Sequence, residues 1–306
     1  MRGRLLLGGL AMLLALGGMS ACSNERNPAD TSKVDVVAGF YPLQFIAEKV
    51  GGPHVNVIGI AQPGAEPHDL ELKPSQILQV GQADLVLYLR EFQPELDEAV
   101  EQNARRKSLD VATITPPRSG EAHSHDGATP EREGGPDPHF WLDPTRLATD
   151  ADAVAARLSA DDPANASDYT AAADRLRADL TELDAEFAAG LADCERREIV
   201  TSHAAFGYLA DRYQLDQIGL TGLSPEDEPT PQRLTEVARE ARAHGATTIF
   251  FETLVSPRVA QTLAQEVGAK TAVLDPLEGP PAAGNEDYFS VMRANLKALR
   301  EALGCK

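Results

Sequence analysis

The chain has 306 residues, of which 47 are acidic and 28 are basic, so its formal net charge at pH 7 is −19. This length allows one large or two medium domains with a sizeable core. The acidic total, without a basic stripe anywhere along the sequence, argues against nucleic acid as a partner.

Residues 1–21 have the layout of a secretory signal peptide. Arg2 and Arg4 give a positively charged start, and the apolar run from Leu5 to Leu16 is too short to span a membrane. The small residues that lead into Cys22 resemble a bacterial lipobox. That resemblance implies cleavage before Cys22 and a lipid on Cys22, which anchors the protein to the bilayer outside the cytoplasm. Residues 22–33 are then a lipidated, polar tether.

Two further cysteines, Cys194 and Cys305, follow in the mature chain. Outside the cytoplasm, an even number of remaining cysteines is most simply a disulfide. Metal ligation by the two thiolates is the alternative, but their spacing matches no zinc-finger pattern. We therefore predict a Cys194–Cys305 disulfide.

Short β-branched or apolar runs alternate with helical spacing in residues 34–160, which we assign to an N-terminal lobe. This alternation is typical of the α/β class, in which helices flank a mostly parallel sheet. The predicted strands are 34–38, 55–61, 85–89 and 108–111, and the predicted helices are 43–50, 74–82 and 93–106.

The segment from 116 to 135 is rich in Pro, Gly, Ser, Glu and His and has no apolar periodicity, which predicts a flexible loop. His123 and His125 lie inside it. They are either possible accessory metal ligands on a low-affinity capture arm or ordinary solvated loop residues, and the sequence leaves both readings open.

The stretch Pro136 to Pro144, PDPHFWLDP, places His139 between two prolines and the single tryptophan of the chain. Proline fixes its own φ and biases the preceding residue toward extended backbone, so we predict a stiff, non-helical turn that presents His139. On its own, His139 could equally be an ordinary loop histidine beside core aromatic residues.

A long helical pattern follows and then a second alternation of strands and helices. Residues 161–194 are predicted to form one rigid helix that links two lobes, since their apolar residues recur at helical spacing over a length above that of most globular helices. Residues 195–306 are assigned to a C-terminal lobe. Its predicted strands are 198–201, 215–220, 247–251 and 271–274, and its predicted helices are 205–213, 231–244, 257–267 and 287–303.

Ligands of open α/β sheets bind at the carboxyl ends of the strands. His68, His203 and Asp275 follow predicted strands in loops of this kind. With His139 they would converge in the cleft between the lobes, where three imidazoles and one carboxylate suit the four positions of Zn²⁺. Each of the four alone could instead be a solvated, capping or core residue. Glu66, close to His68, is a possible accessory ligand.

Several motifs are similar to those of the metal-binding lipoproteins of zinc and manganese ABC importers, the ZnuA-like or cluster 9 (cluster A-I) solute-binding family. The resemblance implies two α/β lobes joined by one long, stiff helix, a metal in the cleft, and delivery of that metal to a membrane permease. It places the ligands at His68, His139, His203 and Asp275 and implies a monomer. The motifs are PGAEPHDLELKPSQ, the acidic histidine loop, DPHFWLDP, SHAAFGYLADRY, SPEDEPTPQRL, FFETLVSP and VLDPLEG.

The resemblance favours zinc as the transported metal. Manganese-type members carry glutamate where this chain has His203, and nitrogen-rich sites suit zinc better than manganese. A manganese- or iron-binding member of the same family is the alternative.

Two other classes of function share the metal-binding residues. A secreted zinc hydrolase would need Glu66 or Glu252 as a general base, but no HExxH pair occurs. The predicted fourth ligand also leaves no position for a reactive water, so we predict that the protein is not an enzyme. A metal-binding adhesin or chaperone differs only in its partner, about which the sequence is silent.

Overall fold

The computed structural model describes residues 33–119, 135–281 and 286–306, all of which belong to one compact unit. The predicted signal peptide, the lipidation site Cys22 and the loop histidines His123 and His125 lie outside the described residues. Within the described part of the chain, no helix has the length and apolar character needed to cross a membrane.

The first lobe is built on a four-stranded parallel sheet with the strand order β2-β1-β3-β4. Its strands are β1 Val34–Ala38, β2 Val55–Gly59, β3 Leu85–Tyr88 and β4 Ser108–Asp110, and its helices are α1 Tyr41–Gly51, α2 Pro74–Gln82 and α3 Pro94–Asn103. Proline occupies the first turn of all three helices, where its missing N–H has no intrahelical partner to lose.

A two-stranded antiparallel ribbon follows, formed by β5 Arg118–Ser119 and β6 Pro136–Asp137. The chain then enters a short 3₁₀ helix, Phe140–Leu142, and the helix α4, Pro144–Asp161. The PDPHFWLDP stretch is therefore not wholly non-helical as predicted, since one 3₁₀ turn lies between its prolines. His139 immediately precedes that turn, and the Asp143 side chain caps α4 by accepting from the N–H of Thr145 at 2.9 Å.

The long linking helix is α5, Ala166–Gly190, which follows a 3₁₀ turn at Pro163–Asn165. It packs along α4 and buries an apolar stripe that includes Tyr169, Leu176 and Phe187. Exposed ion pairs also connect α5 to the second half of the chain, among them Glu186 with Arg293 at 2.8 Å. The predicted rigid helix is thus present, and it begins a few residues later than the apolar pattern suggested.

The second lobe repeats the topology of the first, because its sheet has the order β10-β9-β7-β8, so that the first strand again lies between the second and the third. This confirms the predicted fold class. The strands are β7 Glu198–Thr201, β8 Asp216–Gly219, β9 Thr248–Phe251 and β10 Lys270–Val273, and the helices are α6 Gly207–Tyr213, α7 Pro231–Ala243, α8 Arg258–Val267 and α9 Tyr288–Leu303.

The two lobes share one hydrophobic core. Residues of α1, α4, α5 and α9 form a single buried cluster with one face of each sheet, including Phe45, Trp141, Phe187 and Tyr288. The opposite face of each sheet has its own smaller core under α2 and α3 or under α7 and α8. Large relative movements of the lobes would expose this shared apolar surface, which is costly in water.

The predicted disulfide between Cys194 and Cys305 is confirmed. It joins the segment after α5 to the end of the chain and closes a loop with a sequence separation of 111 residues. In the loop-entropy description, closing a loop of this size stabilises the fold by several kcal/mol, on the order of 5 at most. The bond therefore ties the last helix to the start of the second sheet.

Candidate metal centre

Three histidines and one glutamate meet between the lobes, and we call His68, His139, His203 and Glu278 the His-Glu cluster. Their potential ligand atoms all lie within 4.8 Å of one another. The Glu278 Oε1 atom is 3.0 Å from His139 Nε2, 3.2 Å from His203 Nε2 and 3.5 Å from His68 Nε2. A tetrahedral zinc with ligands at about 2.0–2.1 Å has ligand-to-ligand edges of about 3.4 Å, so the cluster has suitable dimensions for that ion.

The fold places all four residues at the carboxyl ends of strands. His68 follows β2, His139 follows β6, His203 follows β7 and Glu278 follows β10. The first two belong to the first lobe and the last two to the second lobe. The cluster therefore forms only when both lobes are in place, and three of its members follow strands of the parallel sheets as the strand-end rule predicts, whereas His139 follows a strand of the antiparallel ribbon.

His139 is completely buried and held on both ring nitrogens. Its Nδ1 atom is 2.8 Å from Asp137 Oδ1, which also accepts from the His139 backbone N–H at 3.0 Å, and its Nε2 faces Glu278. Burial would lower the pKa of His139, but its hydrogen bonds to Asp137 and Glu278 raise it above the ordinary value. A carboxylate on Nδ1 leaves Nε2 as the metal-facing nitrogen.

His203 has the same arrangement in the second lobe. Its Nδ1 atom is 2.8 Å from Glu252 Oε1, which also accepts a 2.6 Å hydrogen bond from Ser202 Oγ. Burial would lower the pKa of His203, but the carboxylates of Glu252 and Glu278 raise it to about 10. In the metal-free protein at neutral pH, the ring therefore carries a proton that a metal must displace.

His68 is supported differently. Its ring packs edge-on against Phe92, with centroids 4.7 Å apart, and its side chain is 13% exposed, the most of the four. Its backbone N–H donates to Glu66 Oε1 at 3.2 Å. Burial and the nearby Glu278 raise the pKa of Glu66 to about 9, so Glu66 lies beside the cluster in a protonated form at neutral pH.

A tight turn aims Glu278 into the cluster. Leu277 adopts φ 59°, a left-handed conformation that is uncommon and strained for a non-glycine residue. Two contacts hold this turn: Asp275 Oδ1 accepts from the Leu277 N–H at 2.8 Å, and Trp141 Nε1 donates to the Pro276 carbonyl at 2.6 Å. The tryptophan next to His139 therefore also positions the carboxylate from the other lobe.

The Glu278 carboxylate is fully buried and is surrounded by imidazoles. Burial alone would raise its pKa, but the hydrogen bonds from His139, His203 and His68 hold it well below its usual range. The carboxylate is thus an anion in an apolar interior, a state that is stable only beside positive charge. Either protonated histidines or a bound cation can supply that charge.

Asp275, the carboxylate predicted as the fourth ligand, is not part of this cluster. Its Oδ1 atom caps the turn as described, and its Oδ2 atom accepts from Thr253 Oγ1 at 3.1 Å. The prediction took the first carboxylate after β10, whereas the structure brings the second one, Glu278, to the three histidines. An aspartate before a proline typically bonds to the backbone two residues on, so the Asp-Pro pair in VLDPLEG was a signal that favoured Glu278 instead.

The two-lobed fold and this buried cluster define a class of protein that encloses a metal ion between two α/β lobes. The comparisons with known proteins agree. Residues 36–302 match the family described as ZnuA, zinc-uptake complex component A, periplasmic. The chain belongs to this family, which confirms the resemblance inferred from its motifs.

Proteins similar in sequence and structure have names that refer to zinc. The chain is 34% identical to the zinc-binding lipoprotein AdcA of Streptococcus pneumoniae strain R6 over 95% of the present chain. It is 33% identical to the high-affinity zinc uptake system protein ZnuA of Bacillus subtilis over 93% of both chains. The chain spans only 56–60% of the length of the streptococcal AdcA proteins. The structure of Zn(II)-bound AdcA from S. pneumoniae superposes with a TM-score of 0.75 at 31% identity, covering 89% of this chain and 58% of that one.

A pair of matched substitutions distinguishes the two carboxylates. We expect Glu278→Gln to weaken zinc binding by at least about 100-fold, because loss of a ligand should exceed the 10–100-fold typical of residues that only support one. Asp275→Asn also removes one negative charge but keeps an acceptor for the Leu277 N–H, so its effect should stay within roughly threefold. Competition for zinc with a chromogenic chelator measures the zinc affinity of both variants. A larger loss of affinity in Asp275→Asn than in Glu278→Gln would show that Asp275 is a ligand.

Proposed function

We propose that this protein captures Zn²⁺ outside the cytoplasm and delivers it to the membrane permease of an ABC importer. The observation that carries the proposal is the His-Glu cluster itself, in which four protein ligands from two lobes surround one point and are almost fully buried. A closed four-ligand site suits an ion that is held and handed on, whereas a catalytic zinc keeps one position open for water.

The chemistry of the ligands supports zinc as the metal. Three of the four are imidazole nitrogens, and nitrogen-rich sites suit zinc, whereas oxygen-rich sites suit manganese. The names of the relatives point the same way. A manganese- or iron-binding role would need a harder site than His68, His139 and His203 offer.

We propose that a lipid on Cys22 keeps the protein at the outer face of the cell membrane. The support is the signal-like start of the chain together with the description of the pneumococcal relative as a lipoprotein. A tethered protein stays close to its permease, which raises the effective concentration of the complex. The accessory role of His123 and His125 remains a proposal of the same kind, since the loop could raise the local zinc concentration near the cleft.

Release to the permease has to loosen the cluster without unfolding the protein. The shared core and α5 favour small movements of the lobes over wide opening. A shift of either lobe would separate His68 and His139 from His203 and Glu278, because each lobe contributes two of the four ligands. Docking of the permease against both lobes at once would supply such a shift.

The hydrolase alternative receives no support from the geometry. Glu252, one of its candidate bases, bonds to Nδ1 of His203 and therefore lies behind that ligand rather than beside the metal position. Glu66, the other candidate, lies beside the cluster, but Glu278 already completes a fourfold set. Zinc-dependent hydrolysis that disappears in Glu66→Gln while zinc stays bound would overturn this conclusion.

Metal selectivity tests the choice of zinc as the cargo. We expect the wild-type protein to bind one Zn²⁺ at least about 100-fold more tightly than Mn²⁺, because the affinity of imidazole ligands for zinc is much higher than their affinity for manganese. His203→Glu should narrow that gap by weakening zinc binding more than manganese binding. Both quantities are measured by titration of each metal against a chelator of known affinity.

The matched control for this titration is His244→Glu, which makes the same substitution at a partly exposed histidine that pairs with Glu198 and is not part of the cluster. It should leave the ratio of the two affinities unchanged. Tighter binding of manganese than of zinc by the wild type would show that the proposed cargo is wrong.

Zinc binding should also release protons. The pKa of His203 is raised to about 10, so its ring is protonated in the metal-free protein at pH 7, and zinc requires the neutral ring. The affinity should therefore rise as the pH rises, by up to about tenfold per pH unit for each proton displaced. Calorimetric titrations at pH 7 in two buffers with different ionisation enthalpies count the protons, and equal heats in both buffers would contradict the prediction.

An importer component and an adhesin would both bind zinc, but only the importer component delivers zinc to the cell. Zinc uptake by cells therefore distinguishes the two functions. Cells that lack the protein should take up radioactive zinc more slowly under zinc limitation. The wild-type gene should restore uptake, whereas a His139→Ala variant produced at the same level should not. Normal uptake in cells without the protein, combined with tight zinc binding in vitro, would favour the adhesin.

A further inference from the structure

Arg118 lies in β5 of the antiparallel ribbon, where it pairs with Asp137 of β6. Its Nη2 atom is 3.3 Å from Asp137 Oδ2, and its Nη1 atom forms an ion pair with Asp211 on α6. The guanidinium also stacks on the ring of Tyr208, with its central carbon 4.3 Å from the ring centroid. One side chain of the ribbon thus contacts both a carboxylate beside the cluster and a helix of the second lobe.

The Asp137 carboxylate divides its two oxygens between Arg118 and His139. Oδ1 accepts from the backbone N–H and the Nδ1 of His139, whereas Oδ2 faces Arg118. The carboxylate is only 5% exposed, so water can compensate little of its charge. Arg118 therefore supplies both the positive charge and the hydrogen bond that keep this carboxylate in one orientation.

Backbone contacts reinforce the same connection. The Arg118 N–H donates to Tyr208 Oη at 2.7 Å, and Tyr208 Oη donates to the Asp137 carbonyl at 3.2 Å. Tyr208 belongs to α6, which follows β7 and the loop that contains His203. The ribbon next to His139 is consequently fastened to the second lobe.

Gly207, the first residue of α6, leaves room for the guanidinium. A Cβ atom at this position would overlap Arg118 Nη2 and would lie 3.1 Å from Asp137 Oδ2. The φ of Gly207 is not positive, so alanine fits the backbone there, and the clash falls mainly on the mobile end of the arginine, with a smaller displacement of the Asp137 carboxylate. A side chain at 207 would thus move Arg118 while keeping its charge.

We propose that Arg118 is a positioning residue for the metal ligand His139, acting through Asp137 and connecting that ligand to α6 of the second lobe. The proposal rests on the proposed function, since it assigns Arg118 a role in zinc binding. The chain of contacts runs from Asp211 through Arg118, Asp137 and His139 to Glu278. Among the described residues, Arg118 forms no hydrogen bond or ion pair with a member of the His-Glu cluster, so it acts on the metal only through Asp137 and His139.

Four variants of the whole chain, purified in detergent, test the proposal. Arg118→Met removes the guanidinium, and Gly207→Ala displaces it while leaving the net charge unchanged. Arg146→Met is the matched control, because Arg146 contacts the same Tyr208 ring at 4.8 Å and also carries one positive charge, but pairs with Asp143 instead of Asp137. Asp137→Asn serves as the reference for a broken contact to His139.

The first readout needs no metal. Long-range proton–nitrogen NMR spectra of the metal-free protein report the hydrogen-bonding state of each imidazole, and His139→Gln identifies the His139 signals. Arg118→Met and Gly207→Ala should shift the His139 Nδ1 resonance toward its value in Asp137→Asn, whereas Arg146→Met should leave it at the wild-type value. Arg118→Lys should not restore the wild-type His139 Nδ1 resonance, because an ammonium group lacks the planar fork that reaches Asp137 and Asp211 together.

The second readout is zinc affinity by chelator competition. Arg118→Met and Gly207→Ala should each weaken binding by about tenfold, the lower end of the range for residues that support a metal ligand, and Arg146→Met should not change it. Unchanged His139 signals in both test variants, or an equal loss of affinity in Arg146→Met, would overturn the proposal and leave Arg118 a purely structural residue. If the wild type bound no zinc, the proposed function would fail, while the metal-free spectra would still decide whether Arg118 positions His139.

Discussion

The Glu278 carboxylate buried among three imidazoles is the interaction on which the rest of this structure depends. An anion in a protein interior is tolerated only when positive charge and hydrogen bonds replace the water it has lost. Here the hydrogen bonds come from His139 and His203, and His68 Nε2 lies 3.5 Å from the same carboxylate oxygen, so rings from both lobes approach it. In the metal-free protein, protons on His139 and His203, whose pKa values are raised, supply the positive charge.

The architecture around the cluster explains how two separate sheets hold one site. Both lobes have the same strand order, and both present the carboxyl ends of their strands toward the space between them. The shared core and the helix α5 connect the lobes over much of their length, and the disulfide after α5 fastens the end of the chain within the second lobe. A rigid connection of this kind keeps the four ligands within reach of one ion. It also means that a small displacement is enough to open the site.

The support of the three histidines is unequal. His139 and His203 each have a buried carboxylate on the nitrogen that faces away from the cluster, Asp137 and Glu252 respectively. These carboxylates orient the rings and increase their basicity. His68 relies on its loop and on the ring of Phe92, and it is the most exposed of the four. The site is therefore closest to solvent at His68. In the interior, one histidine–carboxylate pair from each lobe holds the site in place.

Sequence patterns predicted the fold class, the cysteine pairing and most strands and helices to within a few residues, and the three predicted histidines do lie together in the structure. These features depend on local patterns: apolar periodicity sets each element, strand ends place the histidines, and prolines stiffen the turn at His139. Only the tertiary structure decided which carboxylate completes the cluster. The choice of Glu278 over Asp275 depends on the left-handed Leu277 and on a hydrogen bond from Trp141, which lies 135 residues away in sequence. The connection from Arg118 to α6 was equally invisible, because it joins residues 90 positions apart whose proximity no local pattern encodes. Local periodicity reports which face of an element is buried, but the direction of one side chain in a turn is set by distant contacts that exist only after the lobes have packed.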